Sequence, residues 1–280
     1  NRQGTFVLTM LLTLFHDSHY RYAEPAWGVA QALRLWPAPS GSQTIKSWHV
    51  DVNGKPLRST SVDGFGNPVA SHAIDGPVSA LQVTVRGQVQ THDRSGVHSD
   101  NAGGLPPMFF LHPTPLTAPS PGICSLADAV GGEGSTLERL HRLVQAVRDK
   151  VDYVPDTTHA GTVAAEAFAA GQGVCQDHAH VLIAAARHLG VPARYISGYL
   201  CPMEQDSAAA SHAWAELFIE DLGWVGFDPA NRVSPDEHYV RVACGRDYHD
   251  AAPMRGVHRG GGEETLDVDV RITQGTQGAQ

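Results

Sequence analysis

Three residues of this 280-residue chain have the side chains and surroundings for nucleophilic chemistry: Cys175, His212 and Asp228. Cys175 lies in Gly173-Val174-Cys175-Gln176-Asp177-His178-Ala179-His180, a loop that runs into the apolar residues 181–189. Gly190 suits the left-handed position just past a helix and Pro192 prevents continuation, so the pattern predicts a helix beginning at or very near Cys175. A thiol there sits at the positive end of the helix dipole, where unpaired amides favour thiolate. Attack by that thiolate needs a base to take the proton and a partner to orient the base. His212, in Ser211-His212-Ala213-Trp214-Ala215-Glu216, opens one β-favouring run. Asp228, in Phe227-Asp228-Pro229-Ala230-Asn231, closes the next, with a turn at residues 220–223 between them. Simple hairpin registers put Asp228 opposite residues 214–216, so reaching His212 requires a diagonal contact or bent strand ends.

The neighbours of these residues have two readings each. Gln172 and Gln176 are candidates for a second oxyanion donor beside the Cys175 amide, or solvated side chains. Tyr199 and Trp214 could line an acyl-binding cleft or pack in the core. Asp177, in the first helical turn, reads as a structural cap rather than a catalytic acid. Arg246 and Asp247 read as ordering a closing loop.

The elements that must position this chemistry occupy the second half of the chain. Ser135-Thr136-Leu137-Glu138 is a capping box, and a helix follows to about Lys150. A short alanine-rich helix over about 162–169 leads into the Cys175 helix. Strands follow over 193–200, 212–219 and 224–228, with a final strand over 266–272. Residues 135–280 therefore read as one catalytic α+β unit, helices first and then an antiparallel sheet. Residues 1–100 read as a β-rich, sandwich-like antiparallel domain of short strands over 11–22, 28–36, 47–52, 69–74 and 81–89, divided by turns. Between them, residues 101–134 are rich in Pro and Gly and read as a connection, part of which wraps the second domain through Met108-Phe109-Phe110-Leu111.

Bulk composition narrows the function. Hydrophobic residues make up 42% of the chain, enough for a packed core. A net charge of -9 with no basic run argues against nucleic acid or an anionic membrane as partner. Cys124, Cys175, Cys201 and Cys244 are widely spaced with no C-x-x-C pair, which disfavours a zinc site or disulfide framework, and the scattered histidines lack the spacing of a helical metal pair. No metal or cofactor is implied. The apolar residues 6–15 are too short to span a bilayer and read as a first strand rather than an export signal; with unpaired cysteines this points to the cytoplasm.

The wording of the motifs is more specific than the triple. Gly-Val-Cys175-Gln-Asp-His-Ala-His, Gly190-Val-Pro-Ala-Arg-Tyr-Ile-Ser-Gly-Tyr199, Ser-His212-Ala-Trp-Ala-Glu and Gly-Trp-Val-Gly-Phe-Asp228-Pro-Ala-Asn together resemble the transglutaminase-like superfamily core. The likeness is nearest to bacterial members described as candidate cysteine proteases. His16-Asp-Ser-His-Tyr-Arg-Tyr22, Leu33-Arg-Leu-Trp-Pro37 and Asp63-Gly-Phe-Gly-Asn67 resemble that group's N-terminal β-domain, and Gly245-Arg-Asp-Tyr248 with Pro253-Met-Arg-Gly256 its closing segment. The resemblance runs from about Leu11 to Ile272. It implies a papain/transglutaminase-like core with Cys175 as nucleophile, His212 as base and Asp228 fixing the imidazole. The expected activity is thiol-dependent hydrolysis of an amide in a peptide or protein. Acyl transfer to an amine, glutamine deamidation by the same residues, and a non-catalytic binding module on the same fold are the alternatives.

Overall fold

A computed structural model describes residues 8–98, 104–130, 132–201 and 210–275. The chain begins with β1 (Thr9–Leu33), β2 (Gln43–Val52), β3 (Lys55–Leu57), β4 (Ser61–Val62), β5 (Pro68–His92) and β6 (Val97–His98). Next come α1 (Pro121–Ala129), α2 (Thr136–Lys150), β7 (Asp152–Tyr153), α3 (Ala164–Ala170), β8 (Gln172–Gly173) and α4 (Cys175–His188). The chain continues through β9 (Ala193–Leu200), β10 (Ala210–Ile219), β11 (Gly223–Phe227), β12 (Tyr239–Gly245), α5 (Tyr248–Ala251), β13 (Met254–Gly260) and β14 (Glu264–Gln274). The fold is α+β, with two antiparallel sheets.

The first sheet is built on β1 and β5, in the order β13-β1-β5-β2-β3, with β14 also on β1 and β4 on β5. Period-2 alternation sets its inner face: Leu12, Leu14 and Tyr20 are buried on β1, and Leu81, Val83 and Val85 on β5. Four of the five short runs read from the sequence join into two 25-residue strands, and the fifth, over 47–52, lies in β2. The apparent breaks are irregularities within the β1–β5 pairing, at Arg21/Ala26 and Trp27/Val29. Gly28 and Gly76 stand beside the second break with φ of 85° and 106°, a conformation that costs a side-chain-bearing residue strain.

Two expectations need correction here. Residues 254–274 do not extend the sheet of the second half; β13 pairs with the C-terminal part of β1, and β14 pairs with it from Leu12 to Tyr22. The alternation of 266–272 is real, but alternation specifies a half-buried strand and not its partner. Nor is 101–134 wholly a connection. Pro121 occupies the first turn of α1, where a missing N–H costs nothing, and Ser120 caps it by accepting from the Ile123 amide at 3.4 Å. Phe110 is buried, as the wrapping segment requires, whereas Met108 is exposed.

The second sheet runs β12-β9-β10-β11-β6. Helix α4 lies against β9 and β10 and buries every residue from Asp177 to Arg187, so it is the central helix rather than an amphipathic cover. Arg187 anchors it by donating to the carbonyls of Phe110, Ala193 and Arg246 and to Thr117 Oγ1. Glu216 is fully buried and joins three strands, accepting from Arg194 at 2.5 Å and Arg241 at 2.8 Å. One hydrophobic core runs through both sheets. Polar ties cross between them as well: His16 Nδ1 meets the Tyr199 hydroxyl at 2.7 Å, and the Gln43 amide pairs with the Arg241 backbone at 2.7 and 2.9 Å.

Candidate active site

Cys175 is the first residue of α4, as its surroundings predict. Asp177 makes the start sharp, because its Oδ2 accepts the Val174 amide at 2.8 Å and the Thr158 hydroxyl at 2.6 Å. The far end closes on Gly190, φ 76°, with the Val191 amide donating back to the Ala186 carbonyl at 2.9 Å. His178, one turn into the helix, is buried and spans the carbonyls of Val174 and Val151 at 2.8 Å each, which locks the approach of the chain to Cys175.

His212 and Asp228 meet by a diagonal contact. Ala215 pairs with Phe227 across β10 and β11, so one step further Asp228 faces Trp214, and His212 is two positions along on the same face. His212 Nε2 and Asp228 Oδ2 are 2.6 Å apart. The imidazole also interacts with the Cys175 side chain, which brings all three residues together. Burial alone would lower the His212 pKa; the Asp228 carboxylate overrides it and holds the imidazole well above its ordinary 6.5. Asp228 is raised by burial but lowered more by His212, Asn231 and Tyr239, and the balance keeps it an anion.

Beneath His212 lies a stack that the sequence motifs do not announce. Gly198 is the residue opposite His212, and a Cβ there would sit 2.1 Å from the Val240 carbonyl and 2.7 Å from the Trp214 ring. Its bare backbone lets Trp214 lie across β9, nearly parallel to His212 at 27°. Tyr239 then packs edge-on against the indole with centroids 5.4 Å apart.

Trp214 and Tyr199 therefore line no cleft. Trp214 is 1% exposed and forms the floor under His212, while Tyr199 is 3% exposed and faces His16 across the two sheets. Gln176 turns its amide to the Ala160 carbonyl at 3.3 Å, and Gln172 is an exposed residue on β8 paired with Asp152. Neither glutamine is seen holding an oxyanion position. Arg246 pairs with Asp250 and Asp247 caps α5, which orders the closing segment. Sequence inspection misses Asn231, Tyr239 and Tyr153. Asn231 carries a usable signal, since an Asn three residues after an Asp in a turn is placed to bond it. Tyr153 is half-exposed beside β8 and is under the influence of both Cys175 and Asp228. Among the described residues all four cysteines are free, and no helix is long and apolar enough to cross a membrane.

The site thus sets a helix-borne thiol against an imidazole and a carboxylate carried by an antiparallel sheet. The chain belongs to the transglutaminase-like superfamily: residues 125–229 match the superfamily core, and residues 12–90 match the bacterial transglutaminase-like N-terminal region. It is 35% identical over 170 residues to an uncharacterized protein of Mycobacterium leprae, which is 59% of this chain and 60% of that one. A second uncharacterized relative, from Mycobacterium tuberculosis, is 34% identical over 146 residues, 49% of this chain and 46% of that one. The chain thus spans less than two thirds of the length of either relative. Among solved structures, a candidate cysteine protease from Cytophaga hutchinsonii has the same fold, with a TM-score of 0.76 and 20% identity over 98% of this chain and 93% of that one.

Proposed function

We propose that the protein is a thiol hydrolase of peptide or isopeptide amides, with Cys175 as nucleophile, His212 as base and Asp228 as its orienting partner. The observation that carries this reading is the 2.6 Å His212–Asp228 bond on an imidazole that also meets the helix-borne thiol. The Cys175 thiolate attacks the substrate carbonyl carbon, and the Cys175 amide at the start of α4 faces the developing oxyanion. The imidazolium passes its proton to the leaving amine as the C–N bond breaks, leaving a thioester. Water, deprotonated by the neutral imidazole, attacks that thioester and releases the carboxylic acid. Capture of the thioester by an amine would give transfer instead, and a glutamine side chain in place of a peptide bond would give deamidation.

The decisive experiment is digestion of a peptide library in the presence of a primary-amine probe, with mass readout of cleavage, amine incorporation and deamidation. Cleavage dependent on Cys175 is the expected result. Incorporation or deamidation without cleavage would replace hydrolysis by the corresponding reaction. A thiol-directed amide-mimic probe that labels Cys175 no faster than Cys124, Cys201 or Cys244 would leave a binding module as the surviving reading. We place the protein in a reducing compartment, consistent with the cytoplasm, on the support of its four free thiols.

A further inference from the structure

Asp228 has more partners than the orientation of a histidine requires. Its Oδ1 accepts the backbone amides of Ala230 at 3.0 Å and Asn231 at 3.3 Å. Its Oδ2 accepts three donors: His212 Nε2 at 2.6 Å, Asn231 Nδ2 at 2.7 Å and the Tyr239 hydroxyl at 2.8 Å. The two extra side chains converge on the oxygen that faces the imidazole. They arrive from different elements. Asn231 belongs to the turn after β11, which is closed by the Asp228–Val233 bridge and a left-handed Arg232 at φ 60°. Tyr239 opens β12, which β9 separates from β10, and its phenol reaches Asp228 over the Gly198–Trp214 stack.

We propose that Tyr239 and Asn231 are positioning residues that clamp Asp228 Oδ2 onto His212, an inference that rests on the hydrolase reading above. A lone carboxylate beside a buried imidazolium can swing away or take up the proton itself. Donors on Oδ2 oppose both, because they fix the oxygen in place and disperse its charge so that the proton stays on His212. Tyr239 suits this role because burial and the adjacent carboxylate raise its hydroxyl, which therefore remains a donor at any working pH. Their shortest bonds are to Asp228, and they also border the imidazole, with Asn231 Nδ2 3.5 Å from His212 Nε2 and the Tyr239 ring 6.0 Å from that of His212.

The test compares wild type with Tyr239→Phe and Asn231→Ala in the full chain. Two quantities are measured against pH: the rate of Cys175 alkylation by iodoacetamide and the turnover of a cleaved peptide. Loss of a donor makes Asp228 harder to keep ionised and leaves more of its charge for the imidazolium. Both limbs of the pH profile should move to higher pH, and turnover at neutral pH should fall about tenfold, the weight of one hydrogen bond to a charged group. The maximum alkylation rate should hold, since the thiol is untouched. Asn231 is exposed, so its variant keeps the test open if Tyr239→Phe folds poorly. Profiles that overlay a His212-dependent wild-type profile overturn the clamp alone. A wild-type profile unaffected by His212→Ala overturns the hydrolase reading and the clamp with it.

Discussion

Replacing Asp228 with Asn tests the chemistry at its most sensitive point. The carboxylate and imidazole are 2.6 Å apart, with Asp228 wholly buried and His212 8% exposed, so little solvent screens the pair. Two unit charges about 4 Å apart at an effective dielectric constant of about 20 attract by about 4 kcal/mol, or about three decades in an equilibrium constant. In Asp228→Asn that attraction vanishes, and the burial it outweighed lowers the His212 pKa against the remaining influence of Cys175 alone. The amide NH2 also meets Oδ2's former donors or forces the group to turn, which spoils the tautomer that His212 needs. Turnover should fall by about a thousandfold or more. Cys175 alkylation should lose its plateau through the neutral range and rise only as the thiol ionises by itself. Stopped-flow alkylation and peptide hydrolysis across pH check this, with circular dichroism as the fold control. A variant that folds and retains the wild-type pH profile would refute the reasoning.

Gly198→Ala should destabilise by about 3 kcal/mol, because its Cβ meets the Val240 carbonyl and the Trp214 ring well inside contact distance; an unchanged thermal midpoint would contradict the stack described above. Asp177→Ala should cost about 1–2 kcal/mol through loss of the cap on Val174 N, read as a lower urea midpoint at constant slope. His16 is held neutral, its pKa lowered to about 4 chiefly by burial between the sheets. The unfolded chain binds that proton from about 6.5 downward while the folded chain does not. Stability is therefore lost as pH falls from 6.5 toward 4, by up to about 3 kcal/mol from this group. His16→Gln keeps a donor and an acceptor at the site, so its stability should fall less steeply over that window; coincident slopes would exclude His16 as the source.

Local signals carried the start of the active site. Gly190, Pro192 and the loop before Cys175 specify a helix and its ends within a span of residues 173–192, because capping and left-handed turns act over one or two helical turns. The Ser135 capping box and the β10–β11 hairpin were legible for the same reason. The His212–Asp228 contact was legible as a demand on geometry, and the resemblance supplied the pairing before any register was known.

What the sequence determined, then, is the two ends of the Cys175 helix, the start of the Ser135-capped helix, the strands β9, β10 and β11, and which three side chains have the chemistry. Tertiary structure alone decided the partners. The strand over 264–274 could alternate equally well in either sheet, and it closes on β1 rather than on the catalytic sheet. Trp214 and Tyr199 could face solvent or core, and the missing Cβ of Gly198 together with His16 from the other sheet put both inside. Tyr239 reaches Asp228 across two strands, at a distance no spacing rule covers. Propensities and caps bind neighbours along the chain. Pairing and burial select among distant partners of similar local quality, and that selection is made only when the whole core packs.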